Sequence, residues 1–146
     1  MKIDLKNGID KLVFGMKQKD VSAIYGKPDR NYKDEDDNVI FTYNKLKMRL
    51  TFYKDEDFKM GYIVASSPEL ELFGNKVIGK NIQDVKNELA KKNITKFTQE
   101  EFDTFENYFN EDNWLLFQTE FEEVVKLEVG AIINTKDEFE WKFGKK

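Results

Sequence analysis

The feature that most constrains this chain is a repeat. The stretch Val13–Gly26 returns, worn, as Val77–Ala90: Gly15 falls on Gly79, Asp20 on Asp84 and Val21 on Val85, all at an offset of 64. Phe14 and Ile78 are both large and apolar, as are Tyr25 and Leu89. A fixed offset marks duplicated units. Each copy reads as a tight turn leading into a helix, since a Gly after an apolar pair permits a turn that other residues resist. In the second copy Asn81 is placed to cap the helix, with Asp84 three positions on, and Ile82, Val85 and Leu89 share one helical face. The first copy offers Lys17 at the capping position, a poor cap, and stops at Gly26-Lys27-Pro28, a terminator followed by a breaker. The simplest role for both motifs is to cover a sheet.

The intervening sequence supplies strands. Asn31–Asn38 is a polar loop with the charge run Asp34-Glu35-Asp36-Asp37. Val39–Tyr43, Lys47–Tyr53, Met60–Ala65 and Glu69–Phe73 read as strands; in the second of these Met48, Leu50 and Phe52 point one way and Lys47, Arg49 and Thr51 the other. After a helix from Asn81 to about Lys92, the stretch Asn93–Thr104 is polar and partly extended. Phe105–Phe109, Trp114–Thr119, Val124–Ile133 and Glu138–Phe143 follow as strands, the last alternating Phe139, Trp141 and Phe143 against Glu138, Glu140 and Lys142. No linker rich in Pro, Gly or Ser separates the halves. The expected fold is therefore α+β: two tandem repeats, residues 1–70 and 71–146, each one helix plus a four-stranded antiparallel meander, in one body. The expected core includes Val21, Phe41, Leu50, Phe52, Val85, Leu89, Leu127 and Trp141.

At 146 residues, 40% apolar and 36% charged, the chain has enough material for such a core and a highly charged surface. It contains no Cys and no His, which removes disulfides, thiol chemistry, imidazole bases and the usual zinc ligands together. The net charge of −4 argues against a sequence-blind nucleic-acid binder and makes a basic protein surface the natural complement. Met1–Gly8 lacks the apolar centre of a signal peptide and no later run could span a membrane, so a cytoplasmic setting is expected; a removed export signal would leave no trace.

Two stretches come near chemical motifs. Gly74–Asn81 matches a P-loop in Gly74, Gly79 and Lys80, between a strand and a helix, but Asn81 replaces the magnesium-binding hydroxyl and the loop interior carries Val77 and Ile78. Asp34–Asn38 opens like a calcium loop, but Val39 and Lys45 stand where Gly and Glu are needed. The carboxylates elsewhere, among them Glu100, Glu101, Glu106 and Glu120–Glu123, are spread over turns and polar strand faces. No catalytic residue, metal ligand or cofactor is assigned.

Gly15, Val21, Gly26 and Pro28, with Gly79 and Val85 in the second copy, form a pattern that resembles the superfamily of the β-lactamase-inhibitor protein and the outer-membrane assembly lipoprotein BamE. There a Gly-led helix ends in Leu-Gly-x-Pro and packs on an antiparallel sheet. Lys17 departs from the family's Ser or Thr, and the second copy lacks the closing Gly-x-Pro. The resemblance implies a module that offers a sheet or loop surface to a protein partner.

The expected function is a non-enzymatic acidic protein-binding module, in its most concrete form a bacterial immunity or inhibitor protein that neutralises a toxin or enzyme with a basic surface. Alternatives are a nucleotide- or metal-dependent enzyme using residues 74–81, and a scaffold subunit. Neither nucleic acid nor membrane is expected as a partner, and the oligomeric state is left open. Candidate contact residues are the acidic run Asp34, Glu35, Asp36 and Asp37, for electrostatic steering, and Tyr43, Arg49, Tyr53, Tyr62, Tyr108 and Trp114, because interface centres favour aromatics and Arg.

Overall fold

The computed structural model describes residues 1–144. Three short strands, β1 (Lys2–Asp4), β2 (Gly8–Ile9) and β3 (Leu12–Val13), precede helix α1 (Gln18–Tyr25). Then come β4 (Arg30–Lys33), β5 (Val39–Tyr43), β6 (Met48–Tyr53) and β7 (Lys59–Ala65). A hairpin of β8 (Glu71–Leu72) and β9 (Asn75–Lys76) leads into α2 (Ile82–Ala90). The chain finishes its regular structure with β10 (Thr98–Phe102), β11 (Phe105–Asn110), β12 (Leu115–Glu120) and β13 (Glu123–Gly130).

These strands make two sheets. The larger has eight antiparallel strands in the order β10-β11-β12-β13-β7-β6-β5-β4, so the runs that follow α1 and α2 meet at β7 and β13. The smaller has five, β3-β2-β1-β8-β9, with β1 and β8 parallel. The expected α+β fold of two helix-plus-four-strand repeats is thus corrected to a β-rich fold with two short helices and two sheets. The smaller sheet was not anticipated, and it draws strands from both halves. Glu69–Phe73 belongs to it, whereas the outer strand of the large sheet is Arg30–Lys33, three residues of which lie in the expected loop Asn31–Asn38. Glu138–Phe143, expected as the last strand of the second meander, forms only an isolated bridge between Ile133 and Phe139, and the outer strand on that side is β10.

Local chemistry accounts for the helices. Asn81 accepts the Gln83 N–H through its side-chain oxygen at 2.8 Å, the expected cap. Lys17 has no such acceptor; instead its own N–H donates to Asp20 Oδ2 at 2.9 Å, the reciprocal half of a capping box. The alternation in β6 buries Met48, Leu50 and Phe52. These pack in one core with Phe14, Val21, Val85, Leu89, Phe117 and Leu127, so the helices and the small sheet cover one face of the large sheet. Phe41 and Phe52 meet there edge to face with centroids 4.9 Å apart. Trp141, expected in the core, is only half-buried.

Candidate functional site

Among the described residues no helix lies on the other face of the large sheet. Paired residues of neighbouring strands share a face, so the register places Arg49, Val64, Glu128, Leu116 and Phe109 in one row across five strands. Beside it lie Thr51, Tyr62 and Gly130. Gly130 lets two rings lie close to the strand: a Cβ there would sit 2.4 Å from Trp114 Cδ1 and 3.0 Å from Tyr62 Cδ1. Trp114 meets Phe109 edge to face at 5.2 Å. Tyr62 donates its hydroxyl to Glu128 Oε1 at 2.5 Å, and Lys126 lies 3.6 Å from the other carboxylate oxygen. Burial, and then the Glu128 carboxylate, push the Tyr62 phenol far up, so it stays a neutral donor.

One end of this face is acidic. The antiparallel order brings the turns β4–β5, β6–β7 and β11–β12 to the same end of the sheet, with Asp34–Asp37, Asp55–Asp57, Glu111 and Asp112 in them. Between the first two turns is a cleft of about 640 Å³ lined by Asp36, Tyr53, Asp55, Glu56 and Phe139 among others. Its aromatic wall is a stack: Phe139 lies 5.5 Å from Tyr53 and 4.8 Å from Trp141. Gly61 makes room for it, since a Cβ there would meet Tyr53 Cε2 at 2.3 Å. Burial, and then the Asp34 charge, raise the Tyr53 phenol to about 12.

The ten expected contact residues therefore divide. Arg49, Tyr62 and Trp114 lie together on the outer face, and Tyr53 lies at its acidic end under the C-terminal segment. Tyr43 and Tyr108 are on the inner face. The Tyr43 hydroxyl ties β5 to the end of α1 by donating to the Gly26 carbonyl at 2.8 Å. The Tyr108 hydroxyl donates to Glu106 at 2.8 Å, with Lys86 of α2 over its ring at 5.3 Å. Glu35, Asp36 and Asp37 are exposed, but Asp34 holds the turn, accepting the Asp36 and Asn38 N–H groups at 2.9 Å each and Asn38 Nδ2 at 3.2 Å. Although desolvation works to raise its carboxyl, those hydrogen bonds hold it below the usual range. Sequence reasoning missed Gly61, Gly130, Phe109, Leu116 and Phe139. The two strand-interior glycines were a usable signal, because Gly inside a strand often marks a close approach.

The P-loop-like stretch has its amides engaged. The Gly79 N–H donates to the Val124 carbonyl at 2.7 Å and the Lys80 N–H to the Val77 carbonyl at 3.2 Å. Among the described residues no group of three or more acidic side chains is arranged to hold a metal ion.

No family model matches the chain, and no curated protein matches it. The fold is similar to that of an extracellular protein containing an SCP domain from Bacillus anthracis str. Ames, with a TM-score of 0.52 and 15% identity over 79% of this chain and 43% of that one. A cysteine-rich secretory protein from Staphylococcus aureus subsp. aureus Mu50 is similar at a TM-score of 0.49 and 16% identity, over 79% and 42%. The chain spans less than half the length of these neighbours, and at such identities the likeness concerns the fold. The kinship expected from Gly15, Val21, Gly26 and Pro28 is corrected by this likeness: the first neighbour contains an SCP domain and is not a protein of the β-lactamase-inhibitor-protein and BamE superfamily. The reading as a tandem-repeat immunity protein falls with that resemblance. The first neighbour is an extracellular protein, which does not match the cytoplasmic expectation.

Proposed function

We propose that the chain is a non-enzymatic protein-binding module that receives a partner with a basic surface on the outer face of its large sheet. The observation that carries this reading is the helix-free part of the outer face beyond the C-terminal segment, where Tyr62, Trp114, Phe109 and Leu116 stand beside Arg49 and Glu128 and run towards the acidic turns. Aromatics and Arg around a half-buried centre, with charge at the margin, is the composition of interface cores and rims. The acidic end matches the net charge of −4 and would speed association with a basic surface. The test is site-specific photo-cross-linking in native extract. A photoreactive residue at Gln118 or Leu116 should capture one defined protein that the same residue at Lys19, on α1, does not. Equal capture from both positions, or capture from Lys19 alone, refutes the assignment of the outer face.

A further inference from the structure

A second surface carries a knob beside a hole. The hole is a groove of about 410 Å³ between the β8–β9 hairpin and α2. Leu72, Val77, Val85 and Leu89 line it, and so do Lys76, Lys80, Lys91 and Lys92 against the carboxylates of Asp84 and Glu88. Lys76 pairs with Glu69 and Lys91 with Glu88, each at 3.2 Å, so Lys80 and Lys92 supply the positive charge of the rim. Phe73, 47% exposed, forms a wall, with Lys92 Nζ 5.5 Å from its ring centroid.

The knob is Phe121 in the β12–β13 turn, which at 78% is the most exposed large apolar side chain among the described residues. Phe121 and Glu122 have φ of 51° and 68°, consecutive left-handed positions that ordinarily take Asn, Asp or Gly. A Phe there gains no burial within the chain and costs backbone strain, so nothing in the fold accounts for it. Glu120, Glu122 and Glu123 surround it. Knob and hole are neighbours, because the Ile82 N–H at the start of α2 donates to the Glu122 carbonyl and Asn81 bridges Glu123.

We infer that the occupant of this groove is a second copy of the chain. Two chains pair about a two-fold axis between knob and hole; each Phe121 enters the other's groove against Phe73, and each acidic turn faces the other's lysine rim. A knob and a complementary hole side by side on one surface is what a closed, isologous dimer requires. The charges are complementary too, the three carboxylates of the turn against Lys80 and Lys92. This surface is separate from the outer sheet face, so the inference stands without the docking reading.

Sedimentation velocity of the full chain alone, from about 1 µM to about 1 mM, tests it. The expected result is a monomer–dimer equilibrium that weakens with added salt. Phe121→Glu should weaken it by at least about a hundredfold, as for a central anchor residue. Phe143→Glu, an exposed aromatic elsewhere at 43%, should leave it unchanged. A monomer throughout the range, a dimer that Phe121→Glu leaves intact, or open-ended oligomers would each overturn the inference.

Discussion

Gly130→Ala is the perturbation that reads the outer face most directly. Gly130 lies outside the left-handed region, so Ala can adopt its backbone and the effect is steric. The added methyl would sit 2.4 Å from Trp114 Cδ1, 2.9 Å from Trp114 Nε1 and 3.0 Å from Tyr62 Cδ1. Carbon contacts are comfortable at about 3.5–4.0 Å, so the Trp114 ring must move by about 1 Å. Overpacking of this kind costs about 1–3 kcal/mol. Ala is itself favoured over Gly within a strand by about 0.5–1 kcal/mol, which leaves a net loss of about 0.5–2 kcal/mol. In a Trp114→Ala background the main clash is gone, and Gly130→Ala should be neutral or slightly stabilising. The coupling between the two changes is then about 1–3 kcal/mol, read by urea unfolding followed by far-UV circular dichroism. An equal cost of Gly130→Ala in both backgrounds would refute the placement of Trp114 over Gly130.

Three further outcomes follow from the packing and the charges. Leu50→Ala removes a fully buried side chain and should cost about 2–5 kcal/mol in the same unfolding assay. Burial and then the Glu106 carboxylate raise the Tyr108 phenol from 10.0 to about 12, so the fold favours its neutral form. That stability is fully present below pH 10 and is lost as pH rises towards 12; Tyr108→Phe should flatten part of the fall in melting temperature over that window. Asp34→Ala should lower the melting temperature, whereas neutralising Glu35, Asp36 and Asp37 together should leave it nearly unchanged and slow association with a basic partner at low salt.

What could be read from the chain depended on whether a residue's partner is set by local spacing. Met48, Leu50 and Phe52 alternate with polar neighbours, and period two alone assigns their face. Asn81 caps α2 through Gln83, two residues away, and is equally local. Asn31–Lys33 reads as loop because an outer strand with mostly exposed side chains carries no apolar alternation. The opposite error fell on Glu138–Phe143. Phe139 and Trp141 alternate as in a strand, but they stack on each other, and Phe139 on Tyr53. The candidate site was half legible for the same reason. Arg49 and Tyr53 were placed by the alternation of β6, whereas the partnership of Tyr62 with Glu128 spans 66 residues and needs the β7–β13 pairing, which no local pattern encodes.

The central claim is that the outer face of the large sheet is where a protein partner docks. The measurement that tests it most directly is the dissociation constant of the captured partner for Tyr62→Ala, Trp114→Ala and Arg49→Ala, each shown by circular dichroism to be folded, beside Lys19→Ala on α1. The account predicts that at least one of the three outer-face changes weakens binding by about 2 kcal/mol or more, the loss typical of an interface anchor, and that Lys19→Ala leaves it unchanged. Wild-type affinity in all three outer-face variants would contradict it.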